Sequence, residues 1–171
     1  HKEYRRQRQM CIRDRSTTRP CIATLAALHS EDSKVPTMSS LPRVKVAAAH
    51  AAPVFLDKSA TTEKAVALIE EAARHGAQVI AFPETYIPAF PVWAALWAPI
   101  YNHDLFEAMV ENSLCVPGPE ISRIAAAAKR FGVCVSIGIS ERSTVSAGCI
   151  WNTSLLIGEN GTLLNLSLIH I

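Results

Sequence analysis

Val79-Ile80-Ala81-Phe82-Pro83-Glu84 reads as an apolar strand that stops at a proline and hands over a carboxylate. A continuous apolar run suits a strand covered on its faces, and Pro83, with no N–H to donate and a fixed φ, ends the ladder. Glu84 is then held at the carboxyl edge of a sheet, where α/β proteins build their sites. Upstream, Ala65, Leu68, Ile69, Ala72 and Ala73 make one stripe of a helix expected from about Ser59 to His75, with Glu63, Glu70 and Arg74 elsewhere on its surface and Gly76 as its stop. Before it, Val44 to Ala49 is a short apolar run broken by His50-Ala51-Ala52-Pro53, a first strand. Strand, helix and strand within about forty residues predict an α/β unit.

Downstream of Glu84 the chain turns irregular. Pro88, Pro91 and Pro99 alternate with Tyr86, Phe90, Trp93, Trp97 and Tyr101, a composition that stiffens a loop and lines a pocket or an interface. Asp104 and Glu107 resemble a capping box opening a helix to about Leu114, with Phe106, Met109 and Val110 as its stripe. Pro119 suits the first position of another helix, which Gly132 closes after Phe131. From Val133 to Ser140, large apolar residues alternate with small ones, so one face of that strand invites close packing by a neighbour. Ile150 to Ile157 and Thr162 to Leu166 are two more strands, joined across Asn160-Gly161, a hairpin signal. The fold class expected is α/β, a sandwich of β-sheets flanked by helices. There is no internal repeat and no low-complexity linker.

The chain has 171 residues, 49% of them hydrophobic, and a net charge of +2, which fits a soluble globular domain. The charge is unevenly spread: residues 1–37 hold 8 Lys/Arg against 4 Asp/Glu, and residues 38–171 hold 9 against 11. The basic excess therefore belongs to the tail, not to the domain. Arg5, Arg6, Arg8, Arg13, Arg15 and Arg19 accompany no periodic apolar face, and an arginine run alone is a weak nucleic-acid motif. Residues 1–37 are read as a disordered or artefactual tail, Met10 to Arg15 resembling translated adapter sequence, and Met38 as a plausible start. The domain is expected over 38–166, with 167–171 as an artefactual end.

Five cysteines, Cys11, Cys21, Cys115, Cys134 and Cys149, are odd in number and irregular in spacing, which supports neither a disulfide framework nor a CxxC metal site. That pattern points to a reducing cytoplasm. No apolar stretch approaches the roughly 20 residues of a membrane span, and no glycine-rich turn cradles a nucleotide. Neither membrane nor nucleic acid is an expected partner.

From Leu68 through Glu84 to Trp93, the sequence resembles the first catalytic block of the nitrilase family of carbon-nitrogen hydrolases, and the likeness extends over about Leu41 to Leu166. The resemblance implies an αββα fold, of which this chain would hold the amino-terminal half. It also implies that Glu84 is the catalytic base, acting with a lysine and a cysteine. In that scheme a thiolate attacks the nitrile carbon, and a thioimidate and then an acyl-enzyme are hydrolysed, without metal or organic cofactor. The run Tyr86 to Trp93 looks closer to true nitrilases than to amidases, so the implied substrate is a small nitrile; the alternatives are an amide substrate, as for an amidase-type hydrolase, and a non-catalytic fragment that retains only the scaffold. A homo-oligomer is implied for the full-length protein. The chain departs from the family after Leu166: where a His-Arg-Lys pattern is expected it continues Ser167-Leu168-Ile169-His170-Ile171, and the cysteine block should follow further on. The full catalytic set is not present in these residues, and the chain alone is expected to be inactive.

Around Glu84, Tyr86, Trp93 and Trp97 are candidates for a wall recognising an apolar nitrile substituent, or for core. Glu141 follows its strand much as Glu84 does, and is either a second carboxylate of the site or an ion-pair partner of Arg142. Cys115, Cys134 and Cys149 read as core or surface thiols rather than nucleophiles. His50 reads as a polar contact at a strand end, and His75 as a helix-terminal residue favoured by the dipole.

Overall fold

A computed structural model describes residues 43–168 and the two-residue strand Ile22–Ala23. The readings of residues 1–37 and 169–171 lie outside the described residues, apart from that strand. In chain order the elements are β1 (Ile22–Ala23), β2 (Val46–Ala49), α1 (Lys58–Arg74), β3 (Val79–Ala81), two 3₁₀ turns (Val92–Ala95 and Pro99–Tyr101), α2 (His103–Asn112), α3 (Pro119–Phe131), β4 (Cys134–Arg142), β5 (Ile150–Ile157) and β6 (Leu163–Leu168).

The strands form one mixed sheet in the order β1-β2-β3-β4-β5-β6. β2, β3 and β4 are parallel, and β1, β5 and β6 run antiparallel to their neighbours. The α/β reading holds, and the described residues contribute a single sheet to it. Register separates the two faces: Ala47, Ile80, Val135 and Ile157 stand in one row, Val46, Val79 and Cys134 in the next. The first row joins Leu68, Ile69 and Ala72 of α1 and Ile124, Ala127 and Ala128 of α3 in the core. The second row is exposed or half-buried. α1 and α3 thus cover one face of the sheet, while α2 comes near the other only at its Ser140–Asn152 end and the rest of that face is left open among the described residues.

Local signals explain the elements. α1 starts one residue earlier than expected, because the Asp57 carboxylate accepts from Ala60 N at 2.9 Å and caps the first turn. His75 closes it, its Nδ1 lying 2.8 Å from Glu71 O. α3 runs from Pro119 to Phe131, and Gly132 ends it in the left-handed conformation, as the sequence predicts. α2 is a correction. Asn102, not Asp104, occupies its cap position, and no side chain caps the helix. The Asn102 amide instead donates to Trp97 O at 3.1 Å, buttressing the preceding turns, while Asp104 sits in the first turn, where the helix dipole favours a carboxylate. The Asn160-Gly161 turn joins β5 to β6, Gly161 adopting φ 81°. β6 runs on through Ser167 and Leu168, which pair with Ser154 and Thr153.

Candidate active site

β3 ends at Ala81, and Phe82 turns its ring inward against Tyr86, the ring centroids 5.1 Å apart. Phe82 N still donates to Ser136 O at 2.8 Å, so the strand stays attached to β4 until Pro83 breaks the ladder. The chain then rises off the sheet for three residues and returns: Ile87 makes a parallel bridge with Ile139, Ser140 N donating to Ile87 O at 2.8 Å. Leu114 later adds a further bridge, to Glu141. Glu84 lies at the crest of this arch, exposed, at the carboxyl end of parallel β2 and β3.

The arch exists because β4 carries no side chain beneath it. A Cβ on Gly138 would lie 2.6 Å from Pro83 O and from Thr85 N and 2.7 Å from Glu84 Cα. The small-residue face expected of residues 133–140 is thus the bed of the Glu84 backbone. Thr85, next along, holds φ 43°, a left-handed conformation that a β-branched residue rarely adopts. Such strain persists only where the surroundings impose it, and here it turns the chain back onto β4.

The Glu84 carboxylate has one described side-chain partner. Asn152 Nδ2, from β5, donates to Glu84 Oε1 at 2.5 Å. Asn152 pairs across the ladder with Ser140, two residues beyond Gly138 on the same face of β4. Sequence reasoning missed Asn152. The available signal was an amide inside a strand of otherwise apolar and hydroxyl residues, a position where asparagine is disfavoured.

Beside this pair opens a cavity of about 220 Å³, lined by Phe90, Phe106, Met109 and Trp151 and by the polar Thr85, Ser140 and Asn152. Thr85 Oγ1 and Asn152 Oδ1 are buried with no hydrogen-bond partner among the described residues. Tyr86 does not line the cavity: it is 1% exposed, and burial pushes its phenol up to about 12. Trp93 is also buried, edge-on to Phe55 and to Phe106, so it supports the wall from behind. Trp97 is 58% exposed.

Glu141 is not brought to Glu84. It accepts from Thr153 Oγ1 at 2.7 Å, and Thr153 and Asn152 are successive residues of β5 whose side chains point to opposite faces. Nor does Glu141 pair with Arg142, whose guanidinium lies 3.8 Å from Cys115 Sγ; the ion pair among the described residues joins Arg123 to Glu63. Cys115, Cys134 and Cys149 are free and half-buried, and His50 is exposed. No group of three His, Cys, Asp or Glu side chains suited to a metal occurs among the described residues, and none of the described helices is long and apolar enough to cross a membrane.

Comparison with known proteins agrees with this architecture. The family model for carbon-nitrogen hydrolases matches residues 45–168. An arylacetonitrilase of Hypocrea virens is 44% identical over 120 residues, covering 70% of this chain and 35% of that protein. A nitrilase of Pseudomonas syringae is 45% identical over 103 residues, covering 60% and 31%. The chain thus spans about a third of the length of these relatives. Among solved structures, an amidase from Nesterenkonia sp. AN1 superposes with a TM-score of 0.52 at 16% identity, over 74% of this chain and 44% of that one. The NitFhit protein of C. elegans does so with a TM-score of 0.52 at 15% identity, over 74% and 27%. Identity that low speaks for the fold alone. Because the family match takes in strands β2 to β6 and their covering helices together with the arch that carries Glu84, the chain belongs to the carbon-nitrogen hydrolase family.

Proposed function

We propose that the protein carrying this chain hydrolyses a small nitrile to a carboxylic acid and ammonia, with Glu84 as general base. One observation carries the reading: a carboxylate stands at the carboxyl end of parallel strands, tied by one amide, beside a cavity lined mainly by apolar side chains together with Thr85, Ser140 and Asn152. The names of the relatives at 44 and 45% identity favour nitriles over amides. The cavity suits an apolar substituent.

In this scheme Glu84 takes the proton of a cysteine thiol, and the thiolate adds to the nitrile carbon. A C–S bond forms as one C–N π bond opens, and the nitrogen is protonated to a thioimidate. Water adds, the C–N bond breaks and ammonia leaves; a second water cleaves the thioester and frees the thiol. A lysine offsets charge developing on nitrogen. The lysine and the nucleophile come from sequence outside residues 45–168. Cys134 is unsuited to that role: it lies four residues along β4 from Gly138, about 13 Å at the usual strand rise.

The test is Glu84→Gln in the full-length protein, assayed for ammonia release from a panel of nitriles and the matching amides. The expected result is a loss of about 10²- to 10⁴-fold in kcat with the fold intact, the range a positioned general base supplies. Undiminished turnover by the folded variant would refute the assignment, and faster release from amides would move the reading to an amidase. The 171-residue chain by itself is expected to release no ammonia.

A further inference from the structure

We propose that Asn152 is a positioning residue that fixes the rotamer of the Glu84 carboxylate and leaves its second oxygen free to take a proton. This rests on the reading of Glu84 as the base.

The two partners differ in rigidity. Glu84 sits on an arch off the sheet, and a long exposed carboxylate there has rotamers to spare. The backbone of Asn152 is held instead, because β5 is paired with β4 at this position and, from Thr153 onward, with β6 as well, and its side chain is shorter than that of Glu84. Its cross-strand partner Ser140 follows Gly138 by two residues, so the anchor for the side chain and the bed for the backbone belong to one face of one strand pair. Both ends of the glutamate are therefore referenced to the same rigid surface.

The chemistry of the amide suits the task. An ionised carboxylate only accepts hydrogen bonds, and an amide NH₂ donates without carrying a titrating proton. The Nδ2 bond occupies Oε1, and no ion pair competes for the carboxylate among the described residues. Oε2 is left for proton transfer. A lysine or arginine at position 152 would hold the group as firmly but would draw negative charge toward itself and blunt its basicity.

A purely structural role fits less well. Asparagine is among the residues least suited to a strand interior, and Oδ1 of Asn152 is buried without a partner among the described residues, which costs stability rather than adding it. Among the described residues, this side chain makes its hydrogen bond to Glu84.

The experiment compares Asn152→Ala, Asn152→Asp and Glu84→Gln in the full-length protein, with kcat and KM measured separately across pH and melting followed in parallel. Asn152→Ala is expected to lower kcat on the order of 10²-fold with KM nearly unchanged, as a misaimed catalytic group does. Asn152→Asp keeps the shape but sets a second carboxylate against the first, and two such groups in contact resist ionising together, so the acid limb of its kcat/KM profile moves to higher pH. If the alanine variant does not fold, Asn152→Thr, a residue at home in strands but too short to reach Glu84, is read in its place. Wild-type kcat and pH profile in these folded variants, alongside a dead Glu84→Gln, would overturn the role of Asn152 alone. An active Glu84→Gln would remove the base and this inference together. Loss of kcat matched by a lowered melting temperature with the pH profile unmoved in Asn152→Asp would assign Asn152 to the scaffold, against the proposal.

Discussion

The two faces of the sheet are built from the same strands and do opposite things. On the helix-covered face, Ala47, Ile80, Val135, Ile137, Leu155 and Ile157 are all but excluded from solvent and pack against α1 and α3. On the other face the same strands offer Ala48, Ala81, Ser136, Gly138, Asn152 and Ser154, small or polar and mostly only partly covered. Large side chains on the first face supply the burial that holds the sheet together. Small ones on the second let the backbone of residues 83–85 lie directly on β4. Residues 137 and 138 make the contrast in two adjacent positions: the isoleucine belongs to the core, and the glycine makes room for the glutamate.

Substitutions at that junction separate the two faces, and the covered side gives the largest effect. Ile137→Ala removes a side chain with no solvent exposure, and a loss of about 2 to 5 kcal/mol is expected in urea unfolding, with the Glu84–Asn152 bond kept in whatever remains folded. A loss under about 0.5 kcal/mol would mean that this face is not the main core. Gly138→Ala should cost less, about 1 to 3 kcal/mol, because one methyl must push the arch aside. It should nevertheless abolish the Asn152–Glu84 contact, visible as a displaced arch in a crystal structure and as lost turnover in the full-length protein. An unmoved arch would show that the close approach of Pro83 and Thr85 is not what seats Glu84.

Smaller effects sharpen the picture. The Tyr86 hydroxyl is buried without a partner among the described residues, so Tyr86→Phe should be neutral or stabilise by up to about 1 kcal/mol. The phenol is raised by burial from 10.0 to about 12, so the folded protein keeps a proton that the unfolded chain gives up in that interval. Stability is therefore fully present below pH 10 and falls as pH climbs toward 12, a slope that Tyr86→Phe should erase. Leu166→Lys, on an edge strand whose residues are all exposed, should change stability by no more than about 0.5 kcal/mol and yet raise the solubility of the 171-residue chain. Light scattering checks it: equal self-association of both forms would acquit the β6 edge.

Much of this was legible in the residues. The stripe of α1, the proline and glycine that bracket α3, the apolar run into Pro83 and the Asn-Gly turn are local signals, each set by a side chain's own period or backbone preference, and the elements formed within a few residues of their expected places. The small-residue alternation of β4 announced that something would pack closely there, though not what. The cap of α2 was misread because Asn102 is occupied by the carbonyl of Trp97, a contact no spacing rule encodes.

What the chain determined by itself is the order of its elements, which face of each is apolar, and that a carboxylate follows a strand. The tertiary structure alone decided that Gly138 lies beneath Glu84, that Asn152, 68 residues away, reaches its carboxylate, and that Glu141 stands on the far side of the sheet. The physical reason is that helix and strand periods act over a few residues, whereas strand pairing and register bring distant positions together and, through alternation, assign each to one face.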